Sequence, residues 1–552
     1  MNFKKILLFS SVLILISNQI YSQEFSDGNI SGNFQFEAQT YKADSIIGAP
    51  AVDEQLLSNA YLNLIYRTSK FEAGLRYENY LNPILGFDTR YKGQGISYRY
   101  ATYNADFIDI TVGDFYEQFG SGMIFRAYEE RALGFDNAVD GIKIKARPSE
   151  GVEITGLIGK QRYFWNKGDG IIRGGNIDIM VNSLFENLLP ESFGLTLGGS
   201  VVSRFQEDLD PKYKLPENVL AYSTRLGLTT SDLNLDIEYG YKYNDPNSGN
   251  KYNYNPGQGL IITSSYSGDG FGLVLSAHRL DNMDFRGDRN ARGNELAVNF
   301  IPPLSKQHVY ALAAVYPFAT KPNGEAGVQA EMTFKLPKKT WLGGKWGTAV
   351  NINFSAVNSI DTTRTSQYRY DSPFFSVGDR LYFRDINIDL TRRITDDFKL
   401  GVTYLNMIYD KDIMENEGAP LFGKVYSNIL ILDGTFKIND EHSIRIEAQH
   451  LWSTQDSAIV ENDNINGNWA HLLAEYTIAP NWFFSVYDQY NYGNAAEENQ
   501  VHYLNGSIAY LTGSTRVQLS YGRQRGGIIC VGGICRAVPA SNGFYLSVSS
   551  SF

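Results

Sequence analysis

Apolar and polar residues alternate along most of this chain. Val328, Ala330, Met332, Phe334 and Leu336 are interleaved with Gln329, Glu331, Thr333 and Lys335. Ile444, Ile446 and Ala448 are interleaved with Ser443, Arg445, Glu447 and Gln449, and Val517, Leu519 and Tyr521 with Arg516, Gln518 and Ser520. Ile142, Ile144 and Ala146 enclose Lys143 and Lys145 in the same way. A period of two is the period of a β-strand, so each segment has one greasy and one polar face. A cationic side chain in lipid costs about 2–4 kcal/mol near the bilayer midplane, so the charged face must meet water or a polar interior.

The links between these segments also alternate. Short turn-forming links at 68–70, 103–105, 148–151, 189–192, 229–232, 267–270, 302–307, 337–345, 395–397, 439–441, 479–481 and 512–515 exchange with longer polar ones. The longer ones include 42–57, 210–218, 244–257, 281–293, 358–378, 410–423, 454–466 and 493–500. Short turns on one side and long loops on the other mark an up-and-down antiparallel transmembrane β-barrel, with the short turns periplasmic. The threading predicts a single all-β barrel of about 26 strands with both termini in the periplasm. A soluble propeller would need a repeated blade signature, and the sequence has none.

The two ends refine this picture. Residues 1–22 carry Lys4 and Lys5, an apolar run over 6–16 and a small polar stretch ending at Ser22. That is the plan of a cleaved secretory signal peptide, and the run is too short to span a bilayer. The barrel is assigned to 23–552. At the other end, Phe544, Leu546, Val548 and Phe552 fall on one side of the last strand and Tyr545, Ser547, Ser549 and Ser551 on the other. This resembles the closing strand of bacterial outer-membrane barrels. The resemblance implies that Phe544, Leu546, Val548 and Phe552 form the signal read by the barrel-assembly machinery.

Composition fits. The chain of 552 residues holds 37 Tyr and 32 Phe, as membrane-interface girdles require. Its mean hydropathy of −0.27 is that of a soluble protein, but alternating strands hide in such averages. A formal charge of −11 argues against a nucleic-acid partner.

The stretch 113–141, GDFYEQFGSGMIFRAYEERALGFDNAVDG, is too long and too charged for a simple turn. Read functionally, it is a loop around 114–140 folded into the lumen. Glu117, Arg126, Glu129, Glu130, Arg131, Asp136 and Asp140 then form a constriction, with inner-wall partners such as Lys143, Lys145, Glu331 and Glu447. The bland reading is a surface loop cross-linked by its own ion pairs. Barrels of 16–18 strands already leave a channel, so a larger one needs filling.

That stretch, with 522–539 (GRQRGGIICVGGICRAVP) and the strand ending in Phe552, resembles an uncharacterised, porin-like family of Bacteroidetes outer-membrane β-barrel proteins. The resemblance implies the fold and the outer membrane of a Gram-negative bacterium. It carries over no catalytic or binding residue.

Cys530 and Cys535 are the only cysteines, bracketing Gly532-Gly533, a turn signal. In an oxidising compartment the pair reads as a disulfide, whereas a metal site would need two further ligands nearby. Arg523, Arg525 and Arg536 flank it, as a basic spot for anionic headgroups or sugars or as a loop cap. His450 and His471 can lie close on adjacent strands, but two histidines make no metal site. The oxygen-rich stretches 461–468 and 281–292 read either as calcium loops or as solvated polar loops. The sequence contains no nucleophile elbow, P-loop, dinucleotide fingerprint or zinc-protease pattern. No enzyme, cofactor or metal is therefore expected.

Two functions remain. One is a porin-like channel or transporter for a polar solute, restricted by the charged loop. The other is a non-conducting structural or accessory barrel in an outer-membrane assembly or secretion machine. The partners expected are outer-membrane lipids including lipopolysaccharide, the assembly machinery, and other outer-membrane proteins or lipoproteins.

Overall fold

The computed structural model describes residues 24–25, 28–185, 188–456, 465–531 and 534–552. The leader 1–22, the Gly532-Gly533 turn and the first half of the 461–468 stretch, 461–464, lie outside them.

One antiparallel sheet runs from Gly28–Thr40 to Ser541–Ser551 and closes on itself. The first strand pairs with Leu56–Arg67 on one side and with the last strand on the other, Phe36 opposite Val548 and Glu37 opposite Ser547. Each wall strand pairs with the next in sequence. The wall has 24 strands, two fewer than threaded from the sequence; the two-residue piece Glu24–Phe25 only hooks back onto Gly28 and Asn29. Strands run from eight residues (Ile108–Phe115) to fifteen (Asn166–Met180). A tilted strand needs about 9–11 residues to cross a bilayer. Among the described residues no helix is long and apolar enough to cross one.

The missing pair of strands has a definite cause. The 302–307 link is no turn between wall strands. It sits inside a continuous loop, 282–323, between the strands Phe271–Asp281 and Gly324–Leu336. The flanking segments look like strands, Leu296, Val298 and Phe300 by alternation and 309–316 by apolarity. Both instead fold inside the barrel. Pro302, Pro303, Pro317 and Pro322 each remove a ladder donor, which disfavours a wall strand here.

The wall faces sort by chemistry. In Val139–Ser149, Ile142 and Ile144 point outward and are nearly half exposed, while Lys143 and Lys145 point into the bore. The seam between first and last strands is tight. Phe552 exchanges both backbone hydrogen bonds with Gly32, at 2.8 and 3.0 Å. A Cβ on Gly32 would meet the Phe552 ring at 2.7 Å and the Asn63 carbonyl at 2.6 Å, so only glycine fits there.

Candidate functional site

Two loops occupy the bore, 116–138 and 282–323. They join each other through the backbone. The Arg126 N–H donates to the Val298 carbonyl at 2.8 Å, and the Phe300 N–H donates to the Gly122 carbonyl at 3.1 Å. The Asn299 amide donates to the carbonyls of Met123 and Met283, each at 2.8 Å. The Asn137 amide bridges the carbonyls of Arg126 and Ala297.

Each loop also has an apolar anchor. Phe119, Met123, Ile124 and Phe125 are fully buried against Phe285 and Val298 of the second loop and against Leu157, Ile172 and Val202 of the wall. Further along, Leu312, Val315 and Phe318 pack on the opposite wall, against Phe383, Met407, Ile429 and Trp469. These two apolar clusters each run continuously from loop to barrel, and a third, aromatic one of Tyr61, Tyr80 and Tyr91 lies beside them. The first loop presses close. At Gly120 φ is 54°, and a Cβ there would meet Arg225 at 2.5 Å and Glu238 at 2.6 Å. The Ser121 N–H donates to the same Glu238 carboxylate at 2.7 Å.

The charges form one network at the loop's far end. Arg76 and Arg162, on neighbouring regions of the wall, both reach Asp136 of the loop, Arg162 at 2.7 Å. Arg76 also pairs with Glu78 and with Glu129, each at 2.7 Å, and Arg162 with Glu78 at 2.6 Å. Arg131 pairs with Glu129 at 2.9 Å, donates to Gln35 at 3.3 Å and lies over the Tyr61 ring. Three arginines thus meet three carboxylates, with Arg76, Glu78, Arg162 and Asp136 almost wholly shielded from solvent. Burial pushes the Asp136 carboxyl up, but Arg162 and Arg76 outweigh it and hold it below the usual carboxylate range. Glu78, Glu129 and Asp136 could converge on a cation. The two arginines already occupy that space, so the donor set does not fit a metal.

The other expected loop residues separate. Glu117 pairs with Lys143 at 3.2 Å and Lys145 at 4.0 Å. Asp140 belongs to the wall and shares Lys167 with Asp114. Arg126 stacks on the rings of Tyr128 and Phe300. The Glu130 backbone faces Phe135 in a two-residue ribbon. Glu447 bonds Arg445 and Gln449 of its own strand, within the wall rather than with the loop. Arg76, Glu78, Arg162 and Glu238 were not expected. Their only sequence signal is a charge at an alternate strand position, which many other residues share.

Beneath the first loop, toward the short turns, lies an open recess of about 420 Å3. Tyr98, Tyr100, Asp109, Lys143, Lys145 and Arg147 line it, so it offers both signs of charge and aromatic faces.

Elsewhere several expectations resolve. Cys530 and Cys535 are bonded to each other, with Cα atoms 4.1 Å apart. Their ribbon leans over the mouth, where Asn294 of the second loop donates to the Cys535 carbonyl at 3.0 Å. The flanking arginines form no common basic spot: Arg523 pairs with Asp44, Arg525 lies over Trp469 and Arg536 over Phe87. His450 and His471 sit on adjacent strands but on opposite faces, since Ala470 is opposite His450 and Gln449 opposite His471. In the 281–292 stretch the Asp284 carboxylate is held by Arg286 rather than left open for calcium.

Several solved structures are similar to this chain at low identity. The P pilus usher PapC translocation pore shares 9% identity, covering 95% of this chain and 98% of that one, with a TM-score of 0.42. The siderophore receptor PirA from Acinetobacter baumannii shares 9%, covering 97% and 81%, with a TM-score of 0.41. The copper transporter OprC shares 9%, covering 96% and 82%, with a TM-score of 0.40. No curated protein matches the chain. A model described as a family of unknown function (DUF6029) matches residues 3–552, and the chain belongs to that family.

Proposed function

We propose that this protein is a transport-type barrel of the Gram-negative outer membrane, closed at rest by its own loops. The observation that carries this reading is the filling of the bore. Loops 116–138 and 282–323 reach opposite walls and are joined to each other through hydrogen bonds. An open pore of this circumference would admit large toxic solutes, so a resident plug is what a safe conduit needs. The recess beneath the first loop is where a polar solute would be held. Displacing 116–138 would join that recess to the outer mouth. Residues 1–22 direct export, and the strand ending at Phe552 engages the assembly machinery.

A second reading is a sealed accessory barrel that serves as a platform for other outer-membrane proteins. It is favoured by the apolar continuity between loops and wall, which resembles a permanent core. Single-channel recording separates the two. A transport barrel shows rare openings that become frequent when the loop is loosened. A platform stays silent in both cases and loses thermal stability instead.

A further inference from the structure

The wall under the first loop is short of negative charge. Among the described residues, its cations Arg76, Lys143, Lys145 and Arg162 have five carboxylates within ion-pair distance. Only two of the five belong to the wall: Glu78, shared by both arginines, and Glu153, 3.0 Å from Lys145. The other three, Glu117, Glu129 and Asp136, come from the loop. Without the loop, these four cations outnumber their carboxylates by two. Loop 116–138 carries four carboxylates and two arginines, a net charge of −2. It neutralises its own seat.

That seat is continuous with the open recess of about 420 Å3, and Tyr116 joins the two. The Tyr116 carbonyl accepts from Lys143 Nζ at 3.3 Å. Its hydroxyl accepts from Arg76 at 3.3 Å and donates to Asp136 at 3.1 Å. Its ring lines the recess, stacked on Tyr98 with centroids 5.1 Å apart. Lys143, Lys145 and Arg147 descend the inner face of Val139–Ser149 in steps of about 6.6 Å. They are within reach of a solute, with side chains 19%, 26% and 42% exposed. Glu72 and Asp114 also line the recess, but Arg67 and Lys167 hold them.

We propose that the loop carboxylates stand in for the solute, which is an anion bearing two or more carboxylate or phosphate groups. It enters the recess, takes Lys143 and Lys145 from Glu117, and answers the arginines that the departing loop uncovers. Ammonium groups and arginine forks receive either kind of oxyanion. A neutral solute would leave two cations unanswered and a cationic one would add to the surplus, so neither favours the displaced loop. Loop and anion compete for the same groups, so the anion binds the displaced state better and shifts the equilibrium toward it. The inference rests on the transport reading above, which bilayer conductance tests separately.

The test is hydrogen exchange of the 118–134 amides in the full-length mature protein in detergent. Tricarballylate, tripolyphosphate, maltotriose and spermidine are each compared with sodium chloride at the same ionic strength. Either anion should speed exchange roughly ten-fold at saturation, and maltotriose and spermidine should not. Glu117→Gln removes the competitor for the two lysines and should lower the half-effect concentration of anion roughly ten-fold. Lys143→Gln combined with Lys145→Gln should raise it by about as much. Mere screening of charge would move neither value. Equal acceleration by sodium chloride or spermidine overturns the proposal, and so does a wild-type half-effect concentration in both variants. A response to only one of the two anions supports it and assigns carboxylate or phosphate. The exchange needs no conduction: a barrel that responds but stays silent in a bilayer refutes transport alone, and one that conducts without responding refutes this inference alone.

Discussion

Replacing Asp136 by Asn tests how the first loop is held. The two side chains have the same shape, so packing changes little while one negative charge is lost. Asp136 is the loop's contact to both Arg76 and Arg162, and all three side chains are at most 6% exposed. Removing one partner from a buried ion pair typically costs about 3–5 kcal/mol. The low end applies here, because Glu78 and Glu129 remain to neutralise part of the two arginines. A docking penalty of about 3 kcal/mol corresponds to roughly a hundred-fold rise in the open population. Hydrogen exchange of the amides in 118–134, in the detergent-solubilised barrel, reads this directly. Those amides should exchange roughly a hundred-fold faster, while amides in Phe398–Asp410 across the barrel keep their rates. Adding Arg162→Gln removes the uncompensated charge and should restore part of the protection. Unchanged exchange in Asp136→Asn would refute the idea that this network docks the loop.

Other perturbations follow from the same geometry. Docking lowers the Asp136 pKa, so its contribution is complete above the undocked value of about 3.9 and fades as pH falls through the lower docked value. Loop protection should therefore be flat from pH 8 to about 5 and fall only below about pH 4; loss between pH 7 and 5 would point to another group. Replacing Cys530 and Cys535 by Ala should cost roughly 2 kcal/mol, confined to the ribbon over the mouth, because the closed loop is short. Proteolysis should then cut near 527–538 with the barrel melting temperature unchanged. Gly32→Val should block closure of the seam against Phe552, leaving heat-modifiable barrel absent on gels; a normally folded Gly32→Val barrel would contradict the packing at that seam.

The wall was legible in the sequence because each strand states its own orientation. Ile142, Lys143 and Ile144 declare lipid, lumen and lipid with no help from the rest of the chain. The turn at 229–232 and the hairpins around it could be placed from local residues alone. The loop 282–323 could not, since alternation in Leu296, Val298 and Phe300 is the same whether the partner is a wall strand or another loop. Only the closed circumference, which has no place for two more strands, decides between them. Glu129 and Asp136 announced a charged site by density, whereas Arg76, Glu78 and Arg162 did not. Their strands are separated from the loop in sequence, and the meeting exists only once the barrel has curled. His450 and His471 show the converse: neighbouring strands do not make neighbours of side chains when the register puts them on opposite faces.

Planar-bilayer recording of wild type beside Asp136→Asn tests the central claim that this is a conduit closed by its own loops. Wild type should be mostly closed with rare openings, and Asp136→Asn should open roughly a hundred times more often to a conductance of the same size. A wild-type barrel that conducts steadily, with the loop substitution making no difference, would contradict the account.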